Sequence, residues 1–400
     1  MKQVINSEAV PIKTWLDEVD DRTLDQAKNL ANLPFIHKWV CLMPDAHCGY
    51  GMPIGGVVAT KGVVIPNAVG VDIGCGMMAV KTPLLSKWIG GDQLKDILGK
   101  IRQVVPTGFK HHKEPVDPSL MPNTSHAQID TDYEIVCSEY SSALKQLGTL
   151  GGGNHFIEIQ KGSDGYIWIM VHSGSRNLGY KVAKHYNNLA KELNEKWFSI
   201  VPSKSELAFL PLNSKEGEQY LAEMQFCVEF AYRNRILMMK RVLDCFQPLF
   251  ELMKVGDWFG RLDYAINIAH NYASLENHFG ENVMVHRKGA TLAREGTVGI
   301  IPGSQGSKSY IVRGKGNPES FHSCSHGAGR LMSRTKAKAM LSLEDEQAKL
   351  DAKGILHSVR GKSSLDEAPG AYKDIQRVME LQADLVDITI ELEPLAVVKG

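Results

Sequence analysis

The spacing of apolar positions along this chain changes character several times. Residues 51–81, "GMPIGGVVATKGVVIPNAVGVDIGCGMMAVK", alternate Val/Ile runs with Gly and Pro, which predicts short buried strands joined by tight turns. "HFIEIQ" (155–160) and "YIWIMVHS" (166–173) predict a pair of strands around "KGSDG". Helical spacing runs through 178–197 and, at greatest length, through 216–246, where Leu221, Met224, Val228 and Tyr232 fall near one stripe. Strand-like runs return at "VMVHRK", "TVGII" and "SYIVR" between about 283 and 313, and "GRLMSRTKAKAMLS" after His326 reads as helical. The Pro-containing stretch 106–123 reads as an exposed loop. Strands towards both ends with long helices between them predict one α+β unit over residues 1–400, with no internal repeat or low-complexity linker.

Composition changes this picture little. Apolar runs stay below the ~18 residues of a membrane span, and "MKQVINSEAVPIKTW" has no apolar signal core, so no membrane association is expected. The seven cysteines (41, 48, 75, 137, 227, 245, 324) form no CxxC pair, which fits a reduced, cytoplasmic chain. Charge matters more. Net charge is zero, which argues against non-specific coating of nucleic acid, yet residues 282–340 hold ten Lys and Arg against two acids. Such a local excess suits a phosphate-rich ligand held in one place, or else a solvated basic face.

Several blocks share one design, a strand-like run ending in small residues and a metal-capable side chain. "VGVDIGCGMM" offers Asp72 and Cys75, "GTLGGGNHFIE" offers Asn154, His155 and Glu158, "MVHSGSRN" offers His172 and Arg176, and "INIAHNYAS" offers His270. One carboxylate, one thiolate and three imidazoles suit Mn²⁺, Fe²⁺ or Zn²⁺, and a shared thiolate can bridge two ions. "HSGSRNLG", "PGSQGSKS" and "SHGAGR" are small-residue turns able to form anion nests, the last before a predicted helix. In "SFHSCSHGAGRLMSR", His326 is a candidate helix cap, metal ligand or nucleophile. No acid stands beside it in the sequence to claim it as a metal ligand. Walker A and KxDG motifs are absent.

Ten blocks in order carry a family resemblance: "MPDAHCGYGMPIGGV", "VGVDIGCGM", "GTLGGGNHFIE", "VHSGSR", "AHN", "HRKGAT", "PGSQGS", "SCSHGAGR", "EAPGAYKD" and "AVVKG". Over nearly its whole length the chain resembles the RtcB family of GTP-dependent RNA ligases. The resemblance implies an α+β fold in which β-sheets surround a central metal and nucleotide cleft flanked by helices. It implies two Mn²⁺ ions on Asp72, Cys75, His155, His172 and His270, with the cysteine shared, and GTP as co-substrate. His326 matches the guanylylated histidine and Asn154 a phosphate contact. Glu158, Ser309, Tyr372 and Lys399 match guanosine-binding positions, while Ser304, Gly327, Ala328 and Gly329 line the same site. Arg176 and Arg330 match positions facing GTP or RNA phosphates. The implied partners are RNA with 3′-phosphate or 2′,3′-cyclic phosphate ends and RNA with 5′-hydroxyl ends; an activating protein is left open.

Gln305 departs from the family's usual "PGSMG", and Cys48 occupies a variable position. His322 and Cys324 read as structural. Two rival readings remain: a metal-dependent phosphoesterase acting on RNA ends, and a non-catalytic RNA-binding module.

Overall fold

The strand-like runs fold into two large sheets, in a computed structural model that describes residues 1–123, 133–253 and 265–400. One sheet has six strands: β1 (Gln3–Ile5), β2 (Ile12–Thr14), β3 (Ile36–Tyr50), β4 (Met52–Thr60), β11 (Asn271–His278) and β12 (Glu281–Lys288), in the order β1-β2-β3-β4-β12-β11. The other has seven: β6 (Gly76–Leu85), β7 (Phe156–Gly162), β8 (Tyr166–Ser173), β10 (Ile266–Ala269), β14 (Val298–Ile301), β15 (Ser309–Gly314) and β17 (Val386–Lys399), in the order β10-β6-β8-β7-β17-β15-β14. Two short pairs complete the strands: β5 (Val63–Val64) with β9 (Leu210–Pro211), and β13 (Ala290–Leu292) with β16 (Ser323–Ser325). The expected α+β class holds.

The central strands of the seven-stranded sheet are apolar almost throughout because both faces are covered. Met78, Val80, Ile157, Ile159, Ile167, Ile169 and Val171 pack with residues of the helices Gly91–Val104 and Lys215–Leu252. The alternate residues Met77, Ala79, Phe156, Trp168 and Met170 pack with Ile300, Leu350, Val359 and Leu365. Each such fully buried aliphatic side chain contributes ~1.5–3 kcal/mol. Glu158 and Gln160 break this apolar alternation on the second face, which is where the cavity described below opens.

Three expectations need correction. The stretch 51–81 contains strands, but Pro66–Val69 is a short helix with its proline at the first position. The longest helix runs Lys215–Leu252, yet its buried side is not the one through Tyr232, which is 45% exposed. Met224 of the expected stripe is buried, but it faces inward with Tyr220, Cys227, Ala231, Asn234, Met238 and Val242, so polar Asn234 and neighbouring Arg235 sit on the buried side and obscure the apolar stripe. The helix after His326 begins only at Arg334, capped by Ser333, so "SHGAGR" is a turn lying well before any helix N-terminus. Stretch 106–123 is mostly exposed, as expected.

Candidate active site

Antiparallel pairing gathers the predicted ligands at one edge of the seven-stranded sheet. In an antiparallel sheet the start of one strand lies beside the end of the next. Ala269 pairs with Gly76, Gly76 with Ser173, His172 with Phe156, and Phe156 with Lys399. Cys75 and His155 therefore precede β6 and β7 at the edge where His172 and Lys399 end β8 and β17. His270 sits between β10 and β11, where the chain crosses to the other sheet.

The side chains converge accordingly. Cys75 Sγ lies 3.4 Å from His155 Nε2 and 3.3 Å from His172 Nε2. His172 Nε2 is 3.4 Å from His270 Nε2, and Asp72 Oδ2 is 3.0 Å from His155 Nε2. The backbone fixes two of the rings: His155 Nδ1 donates to Leu150 O at 2.9 Å and His172 Nδ1 to Asn154 O at 3.0 Å, which leaves both Nε2 lone pairs for the centre. Burial, and then neighbouring imidazoles, holds the pKa of His172 and His270 well below the usual histidine range, so both rings are neutral donors. Burial and then the Asp72 carboxylate push the Cys75 thiol well up. A thiolate beside a carboxylate in this buried setting needs a cation between them. The donor set fits a metal ion, and Cys75, His155 and His172 are spaced to share one. Close approach also explains Gly174, where a Cβ would lie 2.2 Å from Asp72 Oδ1.

Buried polar groups behind the cluster hold these loops. Asn234 Oδ1 accepts from Gly148 N (2.6 Å) and Thr149 N (3.2 Å), while its Nδ2 donates to Gly174 O (3.1 Å). Arg235 Nη1 donates to Gly74 O and Ser173 O, each at 2.9 Å, and its Nε to Asn267 Oδ1 at 2.7 Å. Asn271 joins the Asp72 carbonyl (3.0 Å) to Gly289 N (2.7 Å). None of these was singled out from sequence.

His326 follows β16 and packs edge-on to His270, ring centroids 4.8 Å apart. It does have an acid, contrary to its sequence neighbourhood: Asp45 of β3, fully buried, accepts from His326 Nδ1 at 2.7 Å. The same carboxylate oxygen accepts from His326 N (3.1 Å) and Gly327 N (3.3 Å), so the first N–H groups of this turn grip the protein's own carboxylate. Gly329 has φ +73°, and a Cβ there would meet Asp45 O at 2.2 Å. The "PGSQGSKS" turn is likewise satisfied internally. Gly303 N bonds Ser309 Oγ, Ser304 N bonds Ser307 Oγ, and Gly306 N bonds Ser304 Oγ. It is not an open anion nest.

A cavity opens beside His326. Asn154, Glu158, His172, Ser304, Gly327, Ala328, Gly329, Arg330, Tyr372 and Lys399 line it together with Phe156, Ile54 and Glu367. Ser309 stands behind it, bonded to Gly303 N and to Gln160 Nε2 (3.2 Å). Arg176 lies outside it, near the metal donors, bonded to Thr149 Oγ1 (3.1 Å) and Gly108 O (3.2 Å). Burial pushes the Glu158 carboxyl up to about 8, against the opposing hydrogen bond from Gln160 and the charge of Lys399. Glu367 organises the far wall: it accepts from Tyr372, from Lys399 Nζ (2.9 Å) and from Arg330 Nη1 (3.3 Å). It lay within the quoted "EAPGAYKD" yet was not singled out. Gln305 bridges backbone groups, donating to Glu367 O (2.9 Å) and accepting from Ser358 N (3.2 Å). A thioether at 305 could not donate to Glu367 O and would accept from Ser358 N only weakly.

Among the described residues, no helix is long and apolar enough to cross a membrane. Comparison with known families matches residues 26–134 and 123–400 to RtcB, described as tRNA-splicing ligase RtcB. The RNA-splicing ligase RtcB of Escherichia coli (strain K12) is 39% identical over 417 residues, covering 100% of this chain and 99% of that protein. The tRNA-splicing ligase RtcB of Thermococcus kodakarensis is 32% identical, with 95% and 91% covered, and that of Nanoarchaeum equitans 34%, with 95% and 92% covered.

Proposed function

Because the chain belongs to the RtcB family, we propose that it is an RNA ligase, one catalytic unit that joins 3′-phosphate or 2′,3′-cyclic phosphate ends to 5′-hydroxyl ends using GTP and Mn²⁺. The observation that carries this reading is the setting of His326. The ring lines the cavity, packs against the metal donors through His270, and has Nδ1 bound by Asp45.

With its Nδ1 proton directed at Asp45, the lone pair of His326 resides on Nε2. That nitrogen attacks the α-phosphorus of GTP, the bond to the β-phosphate oxygen breaks, and pyrophosphate leaves. An oxygen of the RNA 3′-phosphate then attacks the same phosphorus and the P–N bond breaks. The imidazole departs and RNA-3′-ppG forms. The 5′-hydroxyl oxygen attacks the 3′-phosphorus, losing its proton, and GMP leaves. A cyclic end enters after water opens it. Asp45 stabilises positive charge on the imidazole when the ring is protonated as a leaving group.

Asp72, Cys75, His155, His172 and His270 would hold the two Mn²⁺ ions, with Cys75 common to both. Bound there, the ions supply positive charge to phosphoryl oxygens and acidify water. Glu158, Tyr372 and Lys399 would receive guanosine, with Ser309 supporting the Gly303 turn. Asn154, Ser304 and the Gly327–Ala328–Gly329 turn would flank the phosphates, and Arg176 and Arg330 would meet GTP or RNA phosphates. A plain phosphoesterase would need the donor cluster but leave the His326–Asp45 pair without a task.

Ligation of defined ends tests this reading. With GTP and Mn²⁺ the chain should join a 3′-phosphate RNA to a 5′-hydroxyl RNA, and should leave a 3′-hydroxyl RNA unjoined. Loss of terminal phosphate without joining would favour the phosphoesterase.

A further inference from the structure

The loop from Thr107 to Lys113, "TGFKHHK", stands beside the metal edge and contributes nothing to the cavity wall. Both its ends are anchored. Gly108 N bonds Gly151 O at 2.8 Å and His112 N bonds Lys145 O at 3.0 Å, while His112 Nε2 lies 2.6 Å from Arg241 Nη1. Arg176 Nη2 donates to Gly108 O, and the Arg176 guanidinium shares with the His155 ring the space over Gly151. Between these anchors Phe109 projects with a relative exposure of 102%, so its ring packs on nothing. Lys110, His111 and Lys113 around it are exposed too, and Glu114 is the first acid to follow.

One exposed aromatic residue is ordinary. One on an anchored loop, flanked in sequence by the exposed Lys110 and Lys113 and tied through one backbone carbonyl to an arginine beside the candidate metal donors, has the composition of a single-strand RNA platform. Bases stack on aromatic faces without regard to sequence, and the cations follow the phosphates. We propose that Phe109 is a base-stacking platform for the single-stranded RNA leading to the joint, with Lys110 and Lys113 meeting its backbone. This rests on the RNA-ligase reading and extends it from the reacting ends to the strand that carries them.

The test uses the full chain and a labelled single-stranded 3′-phosphate RNA of ten nucleotides. Phe109→Ala should weaken binding about tenfold, as for one lost stacked base, and Phe109→Trp should restore it and show tryptophan quenching on RNA addition. Lys110→Gln with Lys113→Gln should flatten the salt dependence of log affinity by about 1.4, from ~0.7 per phosphate contact on single strands. Circular dichroism checks folding of each variant. Wild-type protein that joins RNA while Phe109→Ala keeps full affinity and KM overturns the platform alone. Wild-type protein that neither binds nor joins RNA overturns the ligase reading beneath it. A Phe109→Ala change confined to self-association would assign the ring to a protein contact and also overturn the platform.

Discussion

Glu158 is buried at the cavity wall, and burial holds its carboxyl up to about 8. Guanine offers an N1–H and a 2-amino group, two donors that an ionised carboxylate accepts and a protonated one accepts poorly. Below pH 8, guanine binding must therefore expel a proton, and affinity should rise with pH until the carboxyl is ionised beforehand. GMP affinity, measured by titration calorimetry, should gain about fivefold between pH 7 and pH 8 and no more than about twofold beyond that. Glu158→Gln should show no such rise; a flat wild-type profile would remove Glu158 from guanine recognition. Cys75, His155, His172 and His270 stood out in sequence as repeated metal-capable residues at the ends of strand-like runs, and the family resemblance singled out His326. Asp45 and Glu367 were not legible. Each acts by holding a distant partner, Asp45 across 281 positions, and nothing in the sequence around either one marks that pairing.

The helix Lys215–Leu252 shows what periodicity reveals and hides. Its length and type follow from apolar spacing, but Asn234 and Arg235 lie on the inward side because they bind the loops carrying Cys75 and His172. A buried polar residue that serves loop backbones looks, in sequence, like part of the exposed face. Asn234→Ala would leave Gly148 N and Thr149 N without their acceptor in the interior. A loss of ~2–4 kcal/mol in urea unfolding is expected, along with at least tenfold weaker metal retention on dialysis. Tyr232→Ala, at the exposed position, should stay within ~0.5 kcal/mol of wild type. Equal effects at the two positions would mean that the loops are held by something other than Asn234. The edge position of the ligands was likewise beyond sequence, since it depends on which strands pair.

Taken whole, the molecule brings two sheets together where His270 crosses between them, with the candidate metal donors on one side and the His326–Asp45 pair on the other. Ordered motifs identified the family and an α+β chain, while the meeting of β3 with the turn after β16 required the fold. The central claim is that His326 Nε2 becomes the guanylyl carrier. Its most direct measurement is the adduct formed when the chain is incubated with α-labelled GTP and Mn²⁺, without RNA. One GMP per chain is expected, lost in mild acid and retained in alkali as a phosphoramidate is. His326→Ala should show none, with metal content near wild type. An acid-stable label, or a label retained by His326→Ala, would contradict it.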